Sequence, residues 1–151
     1  MFRGTFEQTI DAKGRVNIPA RYRDVLREVG DDRIVITNLR IGEMRCLEAR
    51  SHTEWVKLET RIAERTDLSP EAMNFYDNFY LPGAHDCQID GQGRLLVPPV
   101  LRDYAGLVKD LVFAGGRGKF RVWDKAKWET VHQGGELAGV TSPGVLGELG
   151  L

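Results

Sequence analysis

The polar and apolar positions fall into short alternating runs punctuated by glycine and proline. Residues 5–10 alternate weakly and lead into Asp11-Ala12-Lys13-Gly14. Aspartate accepts backbone hydrogen bonds at the start of a turn and glycine supplies a positive φ at its end, so a tight turn is predicted there. Arg15-Val16-Asn17-Ile18 then alternates as a half-buried strand does. Pro19 suits the opening of a helix whose inward face is Tyr22, Val25, Leu26 and Val29, with Gly30 as its stop. Further strands are predicted over 33–37 and 44–48. Ser51-His52-Thr53-Glu54 has the spacing of a capping box, and Trp55, Leu58 and Ile62 give the following helix an apolar stripe. Ser69-Pro70-Glu71 opens another helix, with Phe75 and Phe79 one turn apart, that ends at Leu81-Pro82-Gly83.

The pattern then begins again. Residues 10–24 (IDAKGRVNIPARYRD) and 89–103 (IDGQGRLLVPPVLRD) lie 79 positions apart and agree at seven of 15 positions. The shared residues are Ile10/Ile89, Asp11/Asp90, Gly14/Gly93, Arg15/Arg94, Pro19/Pro98, Arg23/Arg102 and Asp24/Asp103. The second copy predicts a strand to Ile89, a turn over 90–93, a strand over 94–97, and a short helix opened by Pro98 and Pro99. Strands over 111–114 and 119–123 follow, separated by the glycine-rich turn 115–118. A tryptophan succeeds each copy, Trp55 and Trp128. The chain therefore divides into a first unit (1–62), a bridging helix (63–81), a second unit (82–132) and a glycine-rich tail (133–151). The tail is expected to be flexible or to dock a short apolar stripe on a neighbour. The fold class is α+β with internal pseudo-twofold character.

Composition narrows the function classes. The 151 residues are 42% apolar and 28% charged, and 21 basic residues stand against 22 acidic ones for a net charge of −1. A uniformly basic nucleic-acid coat is excluded, so such binding needs a local patch. Residues 3–27 supply one: Arg3, Lys13, Arg15, Arg21, Arg23 and Arg27 against Glu7, Asp11 and Asp24. The second copy is weaker, with Gln92 and Val100 in place of Lys13 and Arg21. No apolar run approaches the ~20 residues of a membrane span, and the N-terminus lacks the apolar stretch of a signal peptide. Two cysteines, Cys46 and Cys87, are too few for a disulfide scaffold, which fits a reducing cytoplasm.

The paired Asp-x-x-Gly-Arg segments are the most informative feature. The turn needs Asp and Gly; it does not need an arginine immediately after it, twice. Arg15 and Arg94 near hairpin tips would present rigid guanidinium forks suited to phosphate or to guanine O6 and N7. The alternative is an Arg–Asp pair inside each turn that only fixes the loop. Cys46, His52, His85 and Cys87 match no common zinc spacing, and Cys87 reads as a buried strand thiol. Phe75, Tyr76, Phe79 and Tyr80 sit at helical spacing and read as packing residues.

MFRG at the start, DAKGRVNIPARYR, DGQGRLLVPPVLRDYAGL and a closing KFRVWDKAKWE resemble the MraZ family over roughly residues 1–132. The resemblance implies two AbrB-like (SpoVT–AbrB) units in a duplicated swapped-hairpin β-barrel with flanking helices. It also implies a transcriptional regulator, mainly a repressor, that forms a ring-shaped homo-oligomer. Such a regulator would bind G-rich direct repeats of double-stranded DNA at the division and cell-wall gene cluster. By resemblance Arg15 and Arg94 match arginines that face DNA, and Asp11 and Asp90 match the motif acids. Relatives often carry several arginines on the helix before the second motif; here EAMNFYDNFYLPGA has none.

The expected site is thus Arg15 and Arg94 on base edges or phosphates. Lys13, Arg3, Arg21 and Arg23 are expected on phosphates, and Asp11, Gly14, Asp90 and Gly93 shape the turns. No catalytic residue, metal or cofactor is expected, no membrane is involved, and the location is the cytoplasm, at the nucleoid. Two other classes stay open: an antitoxin-like protein-interaction module, and a small cysteine- or metal-dependent hydrolase.

Overall fold

The computed structural model describes residues 1–133 and 143–150. Thr5–Thr9 (β1) enters the first turn and returns as Arg15–Asn17 (β2). Pro19 precedes Ala20–Glu28 (α1), and Gly30 follows at φ +69°. The Gly30 N–H donates to the Arg27 carbonyl and the Asp31 N–H to the Leu26 carbonyl, closing the helix on a left-handed residue. Arg33–Ile41 (β3) and Met44–Ser51 (β4) form a hairpin across Gly42. Both strands outrun the expected ends at 37 and 48. Asn38 and Arg40 read as the end of a strand, yet they pair across to Leu47 and Arg45.

Ser51 caps His52–Glu64 (α2), its Oγ accepting from the Glu54 N–H at 3.1 Å. Ser69 caps Pro70–Phe75 (α3) in the same way through the Ala72 N–H. The bridge then widens into a π-helical turn, Tyr76–Tyr80. The second copy supplies His85–Gln88 (β5), Arg94–Leu96 (β6), Pro99–Ala105 (α4), Asp110–Gly115 (β7) and Phe120–Asp124 (β8). Lys125–Gln133 (α5) and Pro143–Leu149 (α6) follow. Of the segment read as a tail, residues 134–142 and 151 lie outside the described residues. In the described part, the Glu148 carboxylate accepts from the Ser69 N–H and hydroxyl, both at 2.9 Å.

Six antiparallel strands form one sheet in the order β1-β7-β8-β4-β3-β5, and β2 pairs with β6 in a separate ribbon. Alternate residues of each strand face opposite sides of the sheet, and both sides are covered. On one side Ile34, Ile36, Leu47, Phe113, Phe120 and Val122 pack against α1, α4 and the ribbon through Tyr22, Leu26, Val16, Leu95 and Leu101. On the other side Val35, Leu39, Val112 and Trp123 meet Trp55, Leu58, Ile62, Tyr76, Tyr80 and Val131. The four aromatics of the bridge pack as expected, with Tyr80 stacked 5.5 Å from Trp55 and Phe75 5.6 Å from Phe79.

The α+β class holds. The expected closed barrel is not seen: the described strands make an open antiparallel sheet and a ribbon. Among the described residues, single bridges, Ile10↔Val16 and Ile89↔Leu95, tie the ribbon to the sheet's two edges. A bridge of one residue pair is not a ladder, so closure at those edges depends on side-chain packing more than on backbone hydrogen bonds.

Candidate nucleic-acid interface

The two turns are built bond for bond alike. In the first, Asp11 Oδ1 accepts from the Lys13 N–H (3.0 Å) and the Arg15 N–H (2.9 Å), while Oδ2 accepts from Arg15 Nε (2.8 Å). In the second, Asp90 Oδ1 accepts from the Gln92 and Arg94 N–H groups, both at 2.9 Å, and Oδ2 from Arg94 Nε at 2.9 Å. Gly14 and Gly93 sit at φ +86° and +75° and donate back to Asp11 O and Asp90 O. The Arg15 N–H, then its guanidinium, hold the Asp11 carboxyl below its ordinary range, and Arg94 does the same for Asp90. Both acids are therefore acceptors only at neutral pH.

The guanidinium groups are thus not swung free from the hairpin tips. Each is tethered to its own turn through Nε, and its two Nη groups make no hydrogen bond among the described residues. The pairing of β2 with β6 then decides where they point. Arg15 lies opposite Leu96 and Asn17 opposite Arg94, with Val16 and Leu95 buried between them. Because a strand alternates, Arg15, Asn17, Arg94 and Leu96 share the outward face of the ribbon. The two motif arginines, 79 residues apart in sequence, stand on one surface.

The remaining candidates divide. Lys13 is exposed in the first turn and Arg21 is exposed at the start of α1. Arg3 precedes β1, next to Gly115, with the whole of β1 between it and Asp11. It does not join the others. Arg23 is half-buried against Gly93 of the second turn, and its counterpart Arg102 lies against Gly14 of the first. A Cβ on Gly14 would lie 2.7 Å from Arg102 Cζ. Arg102 Nε donates to the Val97 carbonyl at 3.1 Å, whereas buried Arg23 Nε has no acceptor. The crosswise role of Arg102 was signalled only by its identity with Arg23 in the repeat.

The hydrolase alternative finds little here. The His85 ring faces the Gly83 carbonyl at 2.9 Å and Cys87 Sγ faces the His85 carbonyl at 3.7 Å, so neither side chain addresses the other. Burial pushes the Cys87 thiol up to about 11 and Cys46 higher still, the opposite of an activated nucleophile. No group of three His, Cys, Asp or Glu side chains among the described residues could hold a metal ion. No helix among them is long and apolar enough to cross a membrane.

The family model described as "MraZ protein, putative antitoxin-like" matches residues 1–76 and 80–138. A protein of Geotalea uraniireducens is 42% identical over 162 aligned residues, covering 100% of both chains. One from Acidithiobacillus ferrooxidans is 39% identical over 152, covering 99% of each. One from Syntrophobacter fumaroxidans is 40% identical over 128, covering 85% of this chain and 82% of that protein. All three bear the name "Transcriptional regulator MraZ".

Proposed function

The chain belongs to the MraZ family, and from that premise we propose that it is a transcriptional regulator that binds double-stranded DNA with the outer face of the β2–β6 ribbon. The observation that carries this reading is the placement of Arg15 and Arg94 on one surface, each oriented by its own aspartate. An antiparallel ribbon fits the major groove, where an arginine fork reads guanine O6 and N7. Exposed Lys13 and Arg21 would hold phosphates, positioning the protein without specifying sequence. Arg23 and Arg102 support the turns from behind. Arg3 lies too far along β1 to belong to the same contact.

The matching turns support taking residues 1–62 and 82–132 as two copies of one unit. Two crosswise bonds, Ile18 N–H to Gly93 O and Val97 N–H to Gly14 O, support an exchanged-hairpin arrangement of those copies. One subunit offers few contacts at a net charge of −1. A ring-shaped homo-oligomer on G-rich direct repeats would sum small patches through effective concentration. Repression of the division and cell-wall gene cluster, at the nucleoid, is the regulatory role that follows from this reading. A protein-interaction module of antitoxin type is the second reading. It is favoured by Leu96 (55% exposed) and Val100 (59%), apolar where the first copy has Asn17 and Arg21.

The test is fluorescence anisotropy on the DNA upstream of the chain's own gene. Arg15→Ala should weaken binding by about 1–3 kcal/mol, the worth of a bidentate guanine contact. Arg94→Ala should cost less, because Gln92 and Val100 leave that side poorer in phosphate contacts. Affinity should also fall steeply with salt. Unchanged affinity in a folded Arg15→Ala chain, or a flat salt response, overturns the reading. Loss of function in Leu96→Asn/Val100→Arg with DNA affinity retained would favour the second one.

A further inference from the structure

The side of the sheet covered by α2 and α5 holds an ion cluster that the DNA reading does not use. Glu48 is 1% exposed at the middle of β4. Its Oε1 accepts from the Tyr80 hydroxyl at 2.7 Å and lies 3.5 Å from Arg50 Nη2. Its Oε2 lies 3.1 Å from Arg121 Nε and 3.8 Å from Lys119 Nζ. One carboxylate therefore faces three cations in a site largely closed to water. Uncompensated charge in such a place is costly and invites a counter-ion. Burial lowers the Lys119 ammonium to about 8, even with Glu48 beside it. Glu48, which burial alone would raise, is held below its ordinary range by Lys119, Arg50, Arg121 and Tyr80.

Lys119 and Arg121 also line a cleft of about 240 Å³ between β7, β8 and α5. Trp123, Trp128, Phe120, Ala114 and His132 supply much of the rest of its wall. Trp123 is 1% exposed, and its indole N–H, buried on that strand, meets no acceptor among the described residues. Apolar walls with a few convergent polar groups are the usual make-up of a small-ligand site.

We propose that this cleft binds a small organic anion, its carboxylate or phosphate head against Lys119 and Arg121 and its apolar body against Trp123 and Trp128. The site is separate from the ribbon and stands or falls independently of DNA binding. Its place beside the core of a regulator suits a low-molecular-weight effector.

Saturation-transfer NMR on the full chain tests it with benzoate, phenyl phosphate and neutral benzyl alcohol at constant ionic strength. Benzoate or phenyl phosphate should bind saturably with a dissociation constant of about 10 mM or tighter, and benzyl alcohol about tenfold more weakly. Tighter binding by one of the two anions identifies the head group as carboxylate or phosphate. Inorganic phosphate should compete with either. Lys119→Met and Trp123→Phe should each weaken the anion about tenfold, with thermal melting confirming that the variants fold. Arg61→Gln, which removes an exposed cation on α2, should change nothing. Equal binding of benzyl alcohol, no binding by either anion, or undiminished binding in both Lys119→Met and Trp123→Phe overturns the proposal.

Discussion

At Tyr22 the ring and the hydroxyl do different work. The ring is fully buried on α1, edge-on to Phe2 at 5.2 Å and to Phe6 at 5.3 Å, and 5.1 Å from Phe120. Those contacts join the N-terminus, the first helix and strand β8. The hydroxyl donates to the Gly4 carbonyl at 2.7 Å, and burial raises its pKa to about 12, so it remains a donor. Tyr22→Phe keeps the packing and removes one of two donors to the Gly4 carbonyl, which still accepts from the Gly115 N–H. It should cost about 1 kcal/mol in urea denaturation; a loss several times larger would mean the ring had also moved. The Tyr22 position was legible as the first residue of an apolar helical stripe. Glu48 was not. It stands in a polar-looking strand end, and its burial is made tolerable by Arg50 on the same strand and by Tyr80, Lys119 and Arg121 from other parts of the chain.

At the scale of elements, the turns and the helices behind them form an exchange. Arg23 of α1 covers Gly93, and Arg102 of α4 covers Gly14. Gly14→Ala and Gly93→Ala should each destabilise the chain. An added Cβ both meets a guanidinium and forces a left-handed conformation, worth about 1–2 kcal/mol by itself. The two arginines should differ in turn. Arg102→Met forfeits the bond from Nε to the Val97 carbonyl and should cost about 1 kcal/mol more than Arg23→Met. Removing Arg23 relieves a buried N–H that has no acceptor. Paired thermal melts measure the difference, and equal losses would show that the two sides of the repeat are energetically equivalent. The elements themselves were largely readable, because serine caps, prolines before helices and positive-φ glycines act over three or four residues. The strand ends over-ran where polar residues found partners across the β3–β4 hairpin.

At the scale of the whole molecule, carboxylates stitch parts of the fold together. Asp31, after α1, accepts from the Arg33 N–H at 3.1 Å, from the Thr53 N–H at 2.8 Å and from the Thr53 hydroxyl at 3.0 Å, tying the first helix to the start of α2. Partial burial opposes its ionisation, yet those donors hold it below its ordinary 3.8. Asp11, Asp90 and Glu48 are shifted the same way. A carboxyl with a folded pKa below its unfolded value binds fewer protons when folded, so its contribution is complete above the unfolded value and lost as pH falls through the folded one. Denaturation midpoints should therefore hold steady down to about pH 5 and drop below about pH 4. A midpoint that rose on acidification would contradict this account.

What the chain determines by itself is local. The two Asp-x-x-Gly-Arg turns, the capped helices and the alternation of the short strands are all settled within a few residues, where loop closure costs little and hydrogen-bond partners are neighbours. The tertiary structure decides which surface those pieces share. Pairing Arg15 with Leu96 and Asn17 with Arg94, setting Arg3 beside Gly115, and bringing Lys119 and Arg121 to Glu48 all join residues far apart in the sequence. Such contacts depend on how two sheet faces are filled at once, a condition that no short stretch of sequence carries.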